Sequence, residues 1–392
     1  MRIQWIDALK GIGIILVVLA HHSLPVALDT YIFSFHMPLF FFISGFLFDF
    51  GKYASSTPAF VKGRFRSLIV PYFCFALLTC LFYFLLDAGF QPGVTNIDFF
   101  KNSALYGLYS ILYALGPMVS YNPPLWFLSC LFVTELLFYG FAKKYYSEPK
   151  KLVFWLAIAG IIGYFYSLYI PFRLFWNADV ALTAVVFYGA GNLFRKLIET
   201  EREEEPKKNS VAKAGEKSTV NFYSQKNSGF TKTFYQNQRL FAGFFIFLNL
   251  FYLAYLIQFP TADKVNMNVL RYGGFSSYYI LAFSGIFTFF YLFKKVGSSR
   301  VLEYYGKNSL IVLALHFPLK DIFTKLTVLI LGIEIEAVHY NIGFALGLTI
   351  LNLLCLVPLI FLINNYFPFL IGKKSSSGGA KSFKARLKKY VS

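Results

Sequence analysis

"DALKGIGIILVVLAHHSLP", residues 7–25, decides the fold. Its centre is an unbroken apolar run of the kind that crosses a bilayer, where about 20 such residues suffice. Yet it carries Lys10 near its start and the adjacent pair His21 and His22 past its middle. Ionisable groups inside a membrane span are costly and mark functional sites. Lys10 and His21 are eleven residues apart, about three helical turns, so they share a face with a rise of about 16 Å between them. His22 lies roughly 100° further round. A lysine near the interface snorkels to water, and Asp7, three residues earlier, is placed to pair with it. Neither explanation reaches His21, which is too deep and too short.

The surrounding composition agrees with a membrane setting. The chain has 392 residues, 57% hydrophobic, 21% aromatic and 14% charged, with a mean hydropathy of +0.56. Soluble domains are about 45–50% apolar and about 25% charged. The reading is an all-α, polytopic membrane protein. The net charge of +18 would point to nucleic acid in a soluble chain. Here the basic residues lie between apolar runs, so topology accounts for them and no nucleic-acid partner is expected. The four cysteines (Cys74, Cys80, Cys130, Cys355) sit in apolar runs without CxxC spacing and read as small hydrophobes; no metal site is expected. The first apolar run lacks an A-x-A-like end and is followed at once by another, so it reads as a retained helix rather than a cleaved signal.

Apolar runs predict about ten spans, over 9–28, 31–50, 67–88, 125–142, 152–170, 178–196, 240–258, 275–293, 309–331 and 341–363. Alternate connections are rich in Lys and Arg: Lys52, Lys62, Arg64 and Arg66 after the second run, and Lys143, Lys144, Lys150 and Lys151 after the fourth. Those between them hold few. By the positive-inside rule both termini are cytoplasmic. Residues 1–370 form one membrane domain, broken by a polar loop at 199–238 that reads as mobile and cytoplasmic, and followed by a basic Gly/Ser-rich tail at 371–392. Residues 94–124 form an outer loop with an interfacial helix at 98–115. Oligomeric state is not legible.

Other polar groups interrupt the runs. His36, in "YIFSFHMPLFFFISGFLF", lies at nearly the depth of His21; the two form one site, or His36 is a core histidine bonded to a carbonyl. Arg64 and Arg66 precede "SLIVPYF" at a cytoplasmic mouth; arginine suits phosphate, and a topology signal needs no ligand. Glu135 is mid-span, Asp179 opens the sixth span on the outer side, and His316 lies in the inner half of the ninth, with Lys320 and Asp321 beyond it as a candidate pair. Histidines at mid-depth with cations at the cytoplasmic mouth fit a membrane enzyme using a phosphorylated cytoplasmic donor. They also fit a transporter of lipid-linked glycan or organic acid with a histidine proton relay. A sensor or scaffold is the third reading.

The wording of five segments narrows this. "WIDALKGIGIILVVLAHHSLP" (5–25), "SFHMPLFFFISGFLF" (34–48), "GRFRSLIVPYF" (63–73), "PPLWFLSCLF" (123–132) and "NSLIVLALHFP" (308–318) together resemble the acyltransferase-3 family of membrane acyltransferases, closest to its fucose 4-O-acetylase-like branch. The resemblance runs from Trp5 to about Pro368. It implies a ten-helix fold, acetyl-CoA or another acyl-CoA as donor, and a hydroxyl of a sugar or lipid-linked glycan as acceptor. The family's basic residue, ten residues, then histidine falls on Lys10 and His21. Its Arg-x-x-Arg pattern falls on Arg64 but meets Ser67 where the second arginine belongs, with Arg66 one residue earlier. The acidic cluster after the family's W-x-L is absent, Leu131 and Phe132 standing there and Glu135 further on. The implied roles are His21, His36 and Glu135 in catalysis, Lys10, Arg64 and Arg66 toward the donor, and Asp179 and His316 toward the acceptor.

Overall fold

The structure is a computed structural model that describes residues 3–89, 104–114, 122–204, 237–260, 263–297 and 299–373. Most of the loop expected at 199–238, and the tail beyond Lys373, lie outside the described residues.

The described secondary structure is helical apart from one isolated bridge between Asn266 and Arg271. In chain order the helices are α1 (Gln4–Ala20), α2 (Val26–Leu47), α3 (Thr57–Arg64), α4 (Val70–Gly89), α5 (Ala104–Tyr113), α6 (Trp126–Tyr145), α7 (Pro149–Tyr169), α8 (Ala178–Glu204), α9 (Gln238–Gln258), α10 (Phe275–Val296), α11 (Arg300–Lys307), α12 (Ser309–Leu331), α13 (Ile335–Val338) and α14 (Ile342–Tyr366). A helix falls on each apolar run expected to span. Among the described residues, seven helical stretches are long and apolar enough to cross a membrane. The other three are α1, with 17 residues, α8, which holds Asp179, Asn192 and Arg195, and α12, which holds Lys320, Asp321 and Lys325.

The opening helix is shorter at its end than the 9–28 expected. It begins at Gln4 and stops at Ala20, with His21 as its C-cap. Pro25 disfavours helix in the residue before it, and Ser23 takes a left-handed conformation, φ 52°. The chain turns there and re-enters the bundle as α2. The interfacial helix expected at 98–115 is described over Ala104–Tyr113. Its last carbonyls would otherwise be orphaned. Tyr72 Oη donates to Ile111 O at 2.7 Å, Trp176 Nε1 to Leu112 O at 2.9 Å and Asn177 Nδ2 to Ala114 O at 2.6 Å.

Small residues let backbones touch, as membrane bundles require. A Cβ on Gly306 of α11 would collide with the Asp7 carbonyl of α1, and one on Gly45 of α2 with the Tyr188 carbonyl of α8. These contacts fix the two helices that carry His21 and His36. Polar side chains tie others: Asn249 of α9 donates to Ser284 and Thr288 of α10 and accepts from Tyr31 of α2. The outer surface is apolar, as lipid demands; α9 exposes Leu240, Phe244, Phe247, Leu250 and Phe251.

Between α3 and α4 the chain makes a π-helical turn, Phe65–Ile69, a distortion frequent at functional sites. In α12, Pro318 cannot donate to Ala314 four residues back. Asn122 Nδ2 donates to Ala314 O instead, at 2.7 Å, and Asn352 Nδ2 donates to His316 O at 2.9 Å. The carbonyl that the proline frees is therefore paired, and the helix beside His316 is tied to its neighbours.

Candidate active site

Three histidines from three helices gather near the end of α1. His21 caps α1, His36 is in α2 and His316 in α12. The rings of His21 and His316 pack edge to face with centroids 5.0 Å apart, and Phe317 packs against His21 at 5.6 Å. Each histidine places Nδ1 against the carbonyl four residues back: Val17 O at 2.7 Å, Ile32 O at 2.8 Å and Val312 O at 2.9 Å. A carbonyl only accepts, so each Nδ1 carries the proton and donates. Nε2 is then the basic nitrogen of all three rings. His36 is thus bonded to a carbonyl and also faces the same cavity as His21.

That cavity has a volume of about 180 Å³ and is lined by His21, His36, Phe33, Trp126, Asn266 and Asn268 among others. His316 does not line it; it lies behind His21, fully buried, and its Nε2 has no hydrogen-bond partner among the described residues. His22 is 4% exposed and lines neither this cavity nor the next. Among the described residues no group of three His, Cys, Asp or Glu side chains is arranged to hold a metal ion.

A second cavity, of about 160 Å³, is lined by Lys10, Ser44, Ser309 and a set of apolar side chains. Met37 and Leu313 line both cavities. The Lys10 end and the His21 end of α1 thus open into two spaces divided by one apolar pinch. The shared face expected from the sequence becomes two compartments rather than one.

The other expected site residues are placed elsewhere. Arg64 donates through Nη2 to Tyr53 Oη at 2.9 Å and pairs with Glu135, Nε to Oε2 3.5 Å, an ion pair without a hydrogen bond. Glu135 comes from α6 and is buried, so the structure brings it to Arg64 and not to the histidines. Arg66, exposed on the π turn, donates through Nε to Gly372 O at 2.8 Å. Neither arginine lines either cavity. Asp179 is fully buried and holds Arg173, with Oδ2 2.6 Å from Nε and Oδ1 3.3 Å from Nη2. It also accepts from the amides of Leu174 and Val180. It does not line the histidine cavity. Lys320 and Asp321 do pair, at 3.2 Å, and Tyr83 donates to Asp321 at 2.6 Å.

The sequence reading passed over Trp126, Asn266 and Asn268. Trp126 stands inside a quoted motif, yet only a fold shows that it meets the histidines. The two asparagines lie in "KVNMNVL", in the connection between α9 and α10, whose polarity reads as solvation.

The family model for the acyltransferase domain called acyltransferase-3 matches residues 3–370. The chain belongs to the acyltransferase-3 family. The match spans every helix described above and both cavities, so this is an acyltransferase built on membrane helices. No match was found among curated proteins or among solved structures. Acyl transfer in general needs an activated acyl group held against a nucleophile, and a positioned base helps. An imidazole whose other nitrogen is fixed by a backbone carbonyl is a suitable base.

Proposed function

We propose that this acyltransferase moves an acetyl group from acetyl-CoA to a hydroxyl of a sugar or lipid-linked glycan of the cell envelope, with both termini in the cytoplasm. The observation that carries this reading is the pair of cavities meeting at Met37 and Leu313, one ending on Lys10 and the other on His21 and His36. The donor enters from the Lys10 side. Lys10 is the cation that the inner cavity offers to its phosphates. Arg64 and Arg66, held by Glu135, Tyr53 and Gly372, line neither cavity. The extended arm of the donor passes the pinch and presents its thioester to His21, about 16 Å along the helix from Lys10.

A sugar hydroxyl is a weak nucleophile at neutral pH, so a positioned base helps. Nε2 of His21 takes the hydroxyl proton as the oxygen attacks the thioester carbonyl. The C–O bond forms, the C–S bond breaks, and the CoA thiolate leaves and takes up a proton. His36 lines the acceptor side of the same space, and His316 supports the His21 ring from behind.

The protein purified into lipid nanodiscs, given acetyl-CoA labelled in the acetyl group and a lipid extract containing envelope glycans, tests the reading. Label moving to a glycan with release of free CoA thiol is the expected result. Binding of glycan without any use of acetyl-CoA would replace it with the transporter reading.

A further inference from the structure

The histidine cavity has one wall that does not come from a helix. Residues Val265–Tyr272, between α9 and α10, fold into a small closed loop. Asn266 N donates to Arg271 O at 2.7 Å and Arg271 N to Asn266 O at 3.0 Å. Inside this clasp the Asn266 side chain accepts from Asn268 N at 3.1 Å, and Leu270 takes a left-handed φ of 58°. Met267 is buried against the bundle. Asn266, Met267 and Asn268 all line the cavity that holds His21 and His36, and none lines the cavity that holds Lys10.

A loop this short does not hold its place by itself, and the structure shows what holds it. Arg173 Nη1 donates to Asn268 O at 2.8 Å. The same guanidinium is fixed by Asp179 through Nε and Nη2, and by Asn177 Oδ1 at 3.2 Å. Asp179 is in turn set by the Leu174 and Val180 amides at 3.0 and 2.8 Å. Thr183, one turn along α8, donates to Tyr272 Oη at 3.0 Å. A rigid fork with its donors in one plane suits such a bridge between a carboxylate and a carbonyl, and a lysine would not span it. The start of α8 is therefore bolted to the loop through one arginine.

The loop also carries an unspent group. Asn268 Oδ1 is buried and has no hydrogen-bond partner among the described residues. Buried polar atoms are nearly always paired, so an unpaired one asks for a ligand or water. Asn268 as a residue lines a cavity that also presents the aromatic rings of Phe33, Trp126 and Phe317. Flat apolar faces with a few fixed amides are what a ring carrying several hydroxyls requires: the faces cover its C–H surface, and the amides fix its orientation.

We propose that the Val265–Tyr272 loop is the acceptor-binding wall of the site, with Asn268 bonding a hydroxyl of a carbohydrate ring, and that Arg173 and Asp179 are positioning residues that hold this wall. This rests on the acetyl-transfer reading above and adds the side from which the sugar is recognised. Asp179 then acts on the acceptor without touching it.

The test uses the full chain in nanodiscs, with acetyl-CoA as donor and methyl glucoside, methyl mannoside and methyl fucoside as probe acceptors. Acetyl-CoA affinity is measured by calorimetry, and transfer by mass spectrometry of the glycosides. Asn268→Ala, Arg173→Lys and Asp179→Asn are compared with wild type. Each is expected to raise the KM for the glycoside about 5- to 10-fold, the loss of one hydrogen bond to a polar ligand. Acetyl-CoA affinity should stay within about 2-fold, because the loop is absent from the Lys10 cavity. Asn268→Ala changes a half-buried loop residue and keeps the test alive if the two buried variants fail to fold. A lower kcat with unchanged glycoside KM in Asn268→Ala, or a loss of acetyl-CoA affinity equal to the loss for glycoside, overturns the assignment. Wild type that binds acetyl-CoA yet acetylates none of the glycosides overturns the carbohydrate wall and leaves the donor reading intact. Wild type that does not bind acetyl-CoA removes the donor reading, and this inference with it.

Discussion

Replacing His21 by alanine separates chemistry from folding more cleanly than any other change in this protein. Two losses are expected, and they differ greatly in size. The first is structural. The ring is half-buried at the end of α1 and borders a cavity of about 180 Å³, so its removal enlarges a space that already exists. The bond from Nδ1 to Val17 O disappears, which costs about 1 kcal/mol net. A domain with a stability of roughly 5–15 kcal/mol stays folded under that change. The second loss is catalytic. Removing a general base typically costs about 10²–10⁴-fold in rate, or about 2.7–5.4 kcal/mol of transition-state stabilisation. The expected outcome is a variant that elutes, melts and binds acetyl-CoA nearly as wild type does, with kcat for acetyl transfer reduced at least about 100-fold. His22→Ala is the control made one residue away. His22 is more deeply buried than His21 but lines neither cavity, so it should lose stability without losing turnover per folded molecule. The assay is single-turnover transfer from labelled acetyl-CoA, normalised to folded protein by size exclusion. If His21→Ala keeps more than about a tenth of the wild-type kcat, a loss too small for a general base, His21 is not that base. A collapse in His22→Ala alone would move the chemistry to the other ring.

The pinch gives a second test: Leu313→Trp should block transfer while sparing acetyl-CoA affinity, because it fills the one wall both cavities share; full transfer by a folded Leu313→Trp protein would mean the donor does not pass there. Glu135→Ala strands Arg64 at the edge of the bundle, and thermal unfolding in detergent should register a loss of about 1–3 kcal/mol, below the range for fully buried pairs because the arginine side chain is 28% exposed. The double variant Arg64→Met with Glu135→Leu should recover most of that stability; a drop in acetyl-CoA affinity for Arg64→Ala but not for Glu135→Ala would return the arginine to the donor site. For topology, a cysteine at position 215 should react with an impermeant maleimide only after lysis, and one at position 268 should react in intact cells; the reverse pattern would invert the assigned sidedness.

What the sequence made legible follows from which forces act locally. Apolar runs of spanning length located the helices because lipid leaves the backbone no alternative. The starts of α6 and α12 fall within one residue of expectation for that reason, while α2 starts five residues ahead of it. The end of α1 falls short of expectation, because apolar residues resume at Leu24, Val26, Ala27 and Leu28, past the point where Ser23 turns left-handed ahead of Pro25. His21 was singled out by its depth, and His36 by its matching depth. Their distance to each other and to His316 depends on how three helices pack, which no periodicity reports. Glu135 was singled out as a carboxylate inside a span; α6 turns it to Arg64. Asp179 opens α8, as its place at the start of an apolar run implied, but its carboxylate is held by Arg173, six residues before it. Asn266 and Asn268 were invisible because their meaning lies in a long-range bond from Arg173 to a backbone carbonyl.

Three imidazoles with Nδ1 held on a carbonyl in the same way do not share one role, and the cavities divide them. Only His21 and His36 line the space where an acceptor would stand. Of these, His21 ends the helix that begins beside Lys10, so a donor laid along α1 meets His21 first. His36 is one residue from Met37, at the pinch itself. On the acetyl-transfer reading its own ring faces the acceptor space and not the Lys10 cavity. His316 lies behind His21, its basic nitrogen without a hydrogen-bond partner among the described residues, and it does not line the cavity. Its ring fixes the His21 plane, and Pro318 with Asn122 and Asn352 fixes the helix that carries it. On that reading, one histidine abstracts the proton, one faces the acceptor space and one sets the geometry. The division rests on helix ends, a proline and two asparagines rather than on differences among the rings.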